Sequence, residues 1–153
     1  MCIMYQLFSN LSKTFAFFRF LLFRIRYYQA FSARDMCVFY LGSAFSIEDG
    51  GSIAFQGKVR LLPHSKISAK GKVSIGKNFT LNPYSRVVAF EEITIGDNVT
   101  IAQFVSILDH NHRGIVLESK RRRQLWFEGY STAPIIIGSN VWIGDKVTIL
   151  KGV

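Results

Sequence analysis

"ITIGDNVTIAQFVSILDHNH", residues 93–112, carries Ile95, Ile101 and Ile107 six residues apart and ends on two histidines. A period of six suits neither an amphipathic helix, whose apolar residues return every 3.6 positions, nor a hairpin sheet, whose strands turn residues would cut too often. A coil of short parallel strands suits it. In such a solenoid each six-residue unit forms one flat side of a triangular rung. The leading aliphatic residue points inward, and stacked rungs share one continuous core. The β-branched residue four places on, Val99 and Val105 here, also faces inward near a corner. Gly, Asn and Asp between the units take the turns, where left-handed backbone costs them little.

The same spacing extends in both directions. "IGKNFT" opens at Ile75 and "LNPYSR" at Leu81, and Val87 continues that series. Downstream, "IGSNVW", "IGDKVT" and "ILKGV" open at Ile137, Ile143 and Ile149, with Val141 and Val147 in the corner position. Ile47 and Ile53 form a weaker pair upstream. Three six-residue units make an eighteen-residue rung. The expectation is an all-β solenoid, a parallel β-helix over residues 41–153, broken by an irregular loop at 113–134 and preceded by a helical segment at 1–40. The spacing leaves the hand of the coil open.

A chain of 153 residues is one domain's worth. It is 49% apolar and only 19% charged, with 19 Lys and Arg against 10 Asp and Glu, a formal charge of +9. Such a surface favours anions: phosphorylated cofactors, anionic lipid, nucleic acid or acidic polysaccharide. Nucleic acid is disfavoured, because the basic residues are dispersed and the repeating units are aliphatic. Cys2 and Cys37 make no spaced framework, so a reducing, cytoplasmic compartment is expected.

Within the first forty residues, "FAFFRFLLFRIRYYQAF" (15–31) is apolar on most sides but interrupted by Arg19, Arg24 and Arg26. No uncharged run approaches the roughly 20 residues that a spanning helix needs, and no small-residue cleavage site follows. Gln6, Lys13, Arg19 and Arg26 recur at intervals of seven, six and seven, drawing a polar stripe along a broad apolar helix. Two readings fit. The helix packs on its own domain or a neighbouring subunit, or residues 5–31 make peripheral contact with the inner face of a membrane, arginines toward anionic headgroups.

"SILDHNHRG", 106–114, holds His110 and His112 beside Asp109 in a chain with three histidines. Neutral imidazole can take a proton from an attacking hydroxyl near neutral pH. Histidines at i and i+2 with Asp109 or His64 also suit a metal, but no second ligand group has familiar spacing, so no metal site is expected. Adjacent side chains on a strand point opposite ways, so Asp109 or a group from elsewhere holds the His110 ring. His112 shares the face of His110 and is a candidate acceptor contact. In the loop, Lys120 to Arg123 is either an anion-attracting tip or a solvated one, and Trp126, Phe127 and Tyr130 are positioned to stack on a sugar or an adjacent subunit.

Taken together, "ITIGDNVTIA", "DHNH" and "IIIGSNVWIGDKVTILKGV" resemble the hexapeptide-repeat acyltransferases, the left-handed parallel β-helix enzymes. The resemblance covers residues 70–153 and is to the sugar and polysaccharide O-acetyltransferase branch, which includes the maltose and galactoside acetyltransferases. It implies acetyl transfer from acetyl-CoA to a hydroxyl, by direct attack, between two subunits of a homotrimer and without a metal. His110 falls on the place of the catalytic histidine. The "VWIG" unit carries over Trp142, Gly144 and Asp145 as residues along the coenzyme's pantetheine arm, Asp145 replacing a residue that is often small. Asn82, after "IGKNFTL", matches an acceptor-contacting asparagine, although Pro83 follows it. Asp109, His112 and Trp126 complete the expected acceptor side, and backbone N–H groups would stabilise the tetrahedral oxyanion. The chain stops at "ILKGV", within a rung where family members usually run on. A truncated chain is therefore expected, with a non-catalytic interaction coil, or a serine or amino-sugar acyltransferase, as the alternative.

Overall fold

The structure, a computed structural model, describes residues 2–119 and 122–153, and the side chains of residues 14–113 and 129–153. A helix leads into five three-strand rungs. The helix α1 (Cys2–Arg26) contains neither Gly nor Pro and ends on Arg24 and Arg26, cations that suit a helix C-terminus. The first rung comprises β1 (Phe31–Ala33), β2 (Val38–Phe39) and β3 (Ala44–Ile47). The second comprises β4 (Ser52–Phe55), β5 (Val59–Leu61) and β6 (Lys66–Ala69), and the third β7 (Lys72–Ile75), β8 (Phe79–Leu81) and β9 (Arg86–Ala89). In the fourth, β10 (Glu92–Ile95), β11 (Thr100–Ile101) and β12 (Ser106–Leu108) lead into a hairpin of β13 (His110–Ser119) and β14 (Arg122–Thr132). The fifth is β15 (Ile135–Ile137), β16 (Trp142–Ile143) and β17 (Thr148–Leu150).

Stacking the rungs makes three parallel five-stranded sheets, β1-β4-β7-β10-β15, β2-β5-β8-β11-β16 and β3-β6-β9-β12-β17. Ile53, Val73, Ile93 and Ile135 are in register along the first sheet. Leu61, Leu81, Ile101 and Ile143 line the second in the same way. Along the third run Ile67, Val87, Ile107 and Ile149. Apart from the last-rung Ile143 and Ile149, these side chains have no exposed surface, and each fully buried one contributes about 1.5–3 kcal/mol. The parallel β-helix read from the six-residue spacing is thus the observed fold.

Three details differ from the sequence reading. The second, third and fourth rungs are offset by 20 residues rather than eighteen, as in Lys72 opposite Glu92 and Lys66 opposite Arg86, and the first from the second by 22, as in Ala44 opposite Lys66. Two sides obey the six-residue rule, but the third carries two more residues in the second and third rungs, and four more in the first, before the chain re-enters the first sheet. The coil also begins at Phe31, so its first two strands lie upstream of residue 41. Its inward positions there are Phe31, Phe39 and Phe45, aromatic where later rungs are aliphatic. The excursion read as an irregular loop is an antiparallel hairpin, paired from His110 with Thr132 to Ser119 with Arg122 and irregular between His112 and Gly114.

The helix closes the start of the coil. Ala16 and Phe20 are buried. The Phe20 ring lies 5.4 Å from Phe39, and Phe23 lies 4.9 Å from Phe31 and 4.6 Å from Phe45. Of the two readings for this segment, packing on its own domain accounts for this face. Arg19 turns toward the coil and donates to the Ser43 carbonyl, rather than joining an outward polar stripe.

Two corners repeat a device along the coil. Where the first sheet turns into the second, Asn78, Asn98 and Asn140 all take positive φ. Asn78 Nδ2 donates to Asn98 Oδ1, and Asn98 Nδ2 to Asn140 Oδ1, both at 2.9 Å. Where the second sheet turns into the third, positive φ falls on His64, Tyr84, Phe104 and Lys146. The rings of His64, Tyr84 and Phe104 stack at 5.1 Å intervals. Bulky residues are uncommon in this conformation, and ring-to-ring stacking between rungs offsets part of its cost.

Candidate active site

The third corner, between the third and first sheets, is the longer one, and the fourth rung leaves the coil there. Alternation along β12 turns Ile107 inward, and two residues on Asp109 is also fully buried. Its carboxylate reaches the corner of the rung before it. Oδ1 accepts from the Phe90 N–H at 2.7 Å and Oδ2 from the Glu91 N–H at 2.8 Å. The Asp109 carbonyl accepts from the Ala133 N–H at 3.1 Å, closing the hairpin's base. Backbone crowding fixes this corner further: a Cβ on Gly71 would stand 2.2 Å from the Glu91 carbonyl oxygen.

His110 follows with a side chain only 11% exposed. Its Nδ1 lies 3.4 Å from Asp109 Oδ1, a long contact on a carboxylate already held by the backbone. The ring stacks on Phe90 at 3.8 Å between centroids and meets Tyr130 edge-on at 5.5 Å. Phe90 and Tyr130 touch each other at 4.2 Å. His112 is exposed and lies 4.9 Å from Tyr130 and 6.5 Å from His110. One rung earlier, Lys70 Nζ sits 5.2 Å from the Phe90 ring centre and 3.3 Å from Asp49, whose hydrogen bond raises the lysine pKa. The result is an imidazole in a cluster of three mutually touching rings, stacked on one and edge-on to the other, with a carboxylate at its Nδ1 side. With Nδ1 protonated toward Asp109, Nε2 is the basic nitrogen.

The predicted residues divide between two corners. His110, His112 and Asp109 come together at the third. Asp109 is corrected from an acceptor contact to an internal one, because its burial leaves no surface for a ligand. Asn82 lies at the second corner, where its Nδ2 donates to the Ile101 carbonyl at 2.7 Å. Trp142, 74% exposed, lies on the last strand of the second sheet, and Gly144 and Asp145 follow at the second corner of the fifth rung. Asp145 stands 3.9 Å from Lys146. His64 belongs to that same corner, away from His110. Among the described residues no three His, Cys, Asp or Glu side chains converge as a metal site. The Trp126 side chain, and Lys120 and Arg121 of the basic tip, lie outside the described residues.

Phe90 was missed. It precedes His110 by one true rung of 20 residues, whereas an eighteen-residue rung puts Glu92 there. Counting the actual interval from Ile75 to Ile95 would have found it. Cys37, outside this site, is buried, and burial pushes its thiol pKa up to about 11.

No family model and no curated protein matches this chain. Among solved structures, it is similar to the crystal structure of the polySia specific acetyltransferase NeuO. The two are 24% identical, with a TM-score of 0.45, over 80% of this chain and 70% of that one.

Proposed function

We propose that the chain is an O-acetyltransferase that moves an acetyl group from acetyl-CoA to a hydroxyl of a sugar or polysaccharide. One observation carries this reading: an imidazole at a coil corner, packed against the touching rings of Phe90 and Tyr130 with Nδ1 toward buried Asp109. A hydroxyl is a weak nucleophile until a base takes its proton. His110 Nε2 takes that proton as the hydroxyl oxygen bonds to the thioester carbonyl carbon. The tetrahedral oxyanion then collapses, the carbon–sulfur bond breaks, and His110 gives its proton to the departing sulfur, which restores the neutral imidazole. The product is an O-acetyl ester and the free thiol. Asp109 acts as a positioning residue, biasing the tautomer that leaves Nε2 unprotonated.

Trp142, Gly144 and Asp145 are proposed to run along the coenzyme's pantetheine arm. Their corner is not that of His110, and this separation supports a homotrimer in which one copy's third corner faces another copy's second corner. His112 and Trp126 are the proposed acceptor contacts, with Asn82 contributed from the second corner.

Free-thiol release from acetyl-CoA in the presence of a saccharide panel, with mass detection of the acetylated sugar, tests this reading. The wild type is expected to acetylate at least one sugar. His110→Ala is expected to lose about 10²–10⁴-fold in rate while keeping the same thermal transition. Equal rates for the two proteins remove His110 as the base, and a wild type inert toward acetyl-CoA and every sugar contradicts the activity.

A further inference from the structure

Opposite the face that closes the coil, α1 presents an apolar ridge. Phe15, Phe18, Leu22 and Ile25 are spaced three, four and three residues apart, which sets them along one line of a helix. They are 64%, 56%, 66% and 64% exposed. Single exposed apolar residues are ordinary, but a contiguous row of this kind marks an interaction surface.

The charge beside the ridge says what covers it. Residues 1–34 contain no Asp or Glu, against Lys13, Arg19, Arg24, Arg26 and Arg34. Arg19 is bound to Ser43, but Arg24, Arg26 and Arg34 are exposed. Arg24 and Arg34 line one cleft of about 550 Å³ at the end of the helix, together with Tyr28 and Gln56. We propose that this end of the molecule docks on an anionic bilayer. The helix lies in the plane of the interface, the ridge reaches the acyl boundary, and the three arginines meet headgroup phosphates. Pairing ridge to ridge with a second copy would bring two acid-free, basic segments together, which charge repulsion opposes. Among the described residues no helix is long and apolar enough to cross a membrane, in keeping with a surface contact. Because α1 covers the first rung, His110 stands three rungs, about 14 Å, further from the bilayer.

Co-sedimentation of the full chain with phosphatidylcholine vesicles, with and without phosphatidylglycerol, tests the proposal. The wild type is expected to pellet with the anionic vesicles, less so as salt rises, and to stay largely in solution with neutral ones. Phe18→Ser with Leu22→Ser, both exposed positions, is expected to lower the bound fraction about tenfold with an unchanged melting curve. Arg24→Gln with Arg34→Gln should weaken binding and flatten its salt dependence. Wild type remaining in solution with anionic vesicles overturns the proposal, as does undiminished binding by both pairs of variants. Lipid-free self-association that the Phe18/Leu22 pair abolishes, without vesicle binding, would assign the ridge to a second copy instead.

Discussion

At Asp109 the coil departs from its own pattern, since the positions in register beneath it are Ala89 and Ala69. A carboxylate there gains two backbone donors at the corner below and stands beside the next imidazole. Asp109→Ala takes the acceptor from the Phe90 and Glu91 N–H groups, both in part-buried hydrogen bonds, so a loss of about 1–3 kcal/mol is expected in chemical denaturation. Asp109→Asn, which keeps one carbonyl acceptor, should lose less. If both variants unfold like the wild type, the carboxylate does not organise this corner. Cys37 makes a second prediction. Its thiol pKa is raised from 9.0 to about 11 by burial, so its neutral form favours the folded state. That contribution is intact below pH 9 and lost as pH rises from 9 to 11. In a Cys2→Ser background, a thiol reagent at pH 8 should modify Cys37 only when denaturant opens the coil; rapid labelling of the folded protein would contradict its burial. His110 was legible from the sequence because it ends a run of six-residue units. Asp109's inward direction was legible only in part: alternation put it opposite His110, but nothing in the spacing showed that the corner folds its carboxylate back toward that ring.

Among the elements, the first and second corners solve the left-handed turn differently. The asparagine ladder combines a residue tolerant of positive φ with a side-chain amide that bonds to the next rung. Asn98→Gly keeps the backbone conformation and removes the ladder, whereas Asn98→Ala also forces a Cβ into it. The alanine variant is therefore expected to be about 1 kcal/mol less stable than the glycine variant in urea melts, and the reverse order would show that backbone strain does not decide this corner. The sequence made the rungs from Ile75 onward visible because isoleucine, leucine or valine opens nearly every unit. It hid the first rung because Phe31, Phe39 and Phe45 read as a continuation of the aromatic helix that they pack against. The eight-residue third side was hidden for another reason. Lys70–Gly71 and Phe90–Glu91 are ordinary surface residues, and only the register of Gly71 against the Glu91 carbonyl requires them to be extra.

For the whole molecule, the consequence of a triangular prism is that its corners face different directions. His110 projects from the third corner, whereas Trp142, Gly144 and Asp145 lie on the second sheet and corner, so the proposed site would need a neighbouring copy to complete it. Composition alone did not reveal this division, because residues 32 positions apart from His110 to Trp142 look adjacent once the hairpin is set aside. The most direct measurement is subunit complementation. Gly144 has nothing within 4 Å of where a Cβ would stand, so Gly144→Trp should block the proposed coenzyme lane without displacing the coil. His110→Ala and Gly144→Trp are each expected to be inactive alone. Oligomers assembled from equal amounts of the two should recover about a quarter of wild-type acetyl transfer, the share of contacts at which an intact His110 meets an intact Gly144. Isolated mixed oligomers that stay as inactive as either parent would contradict a site shared between copies.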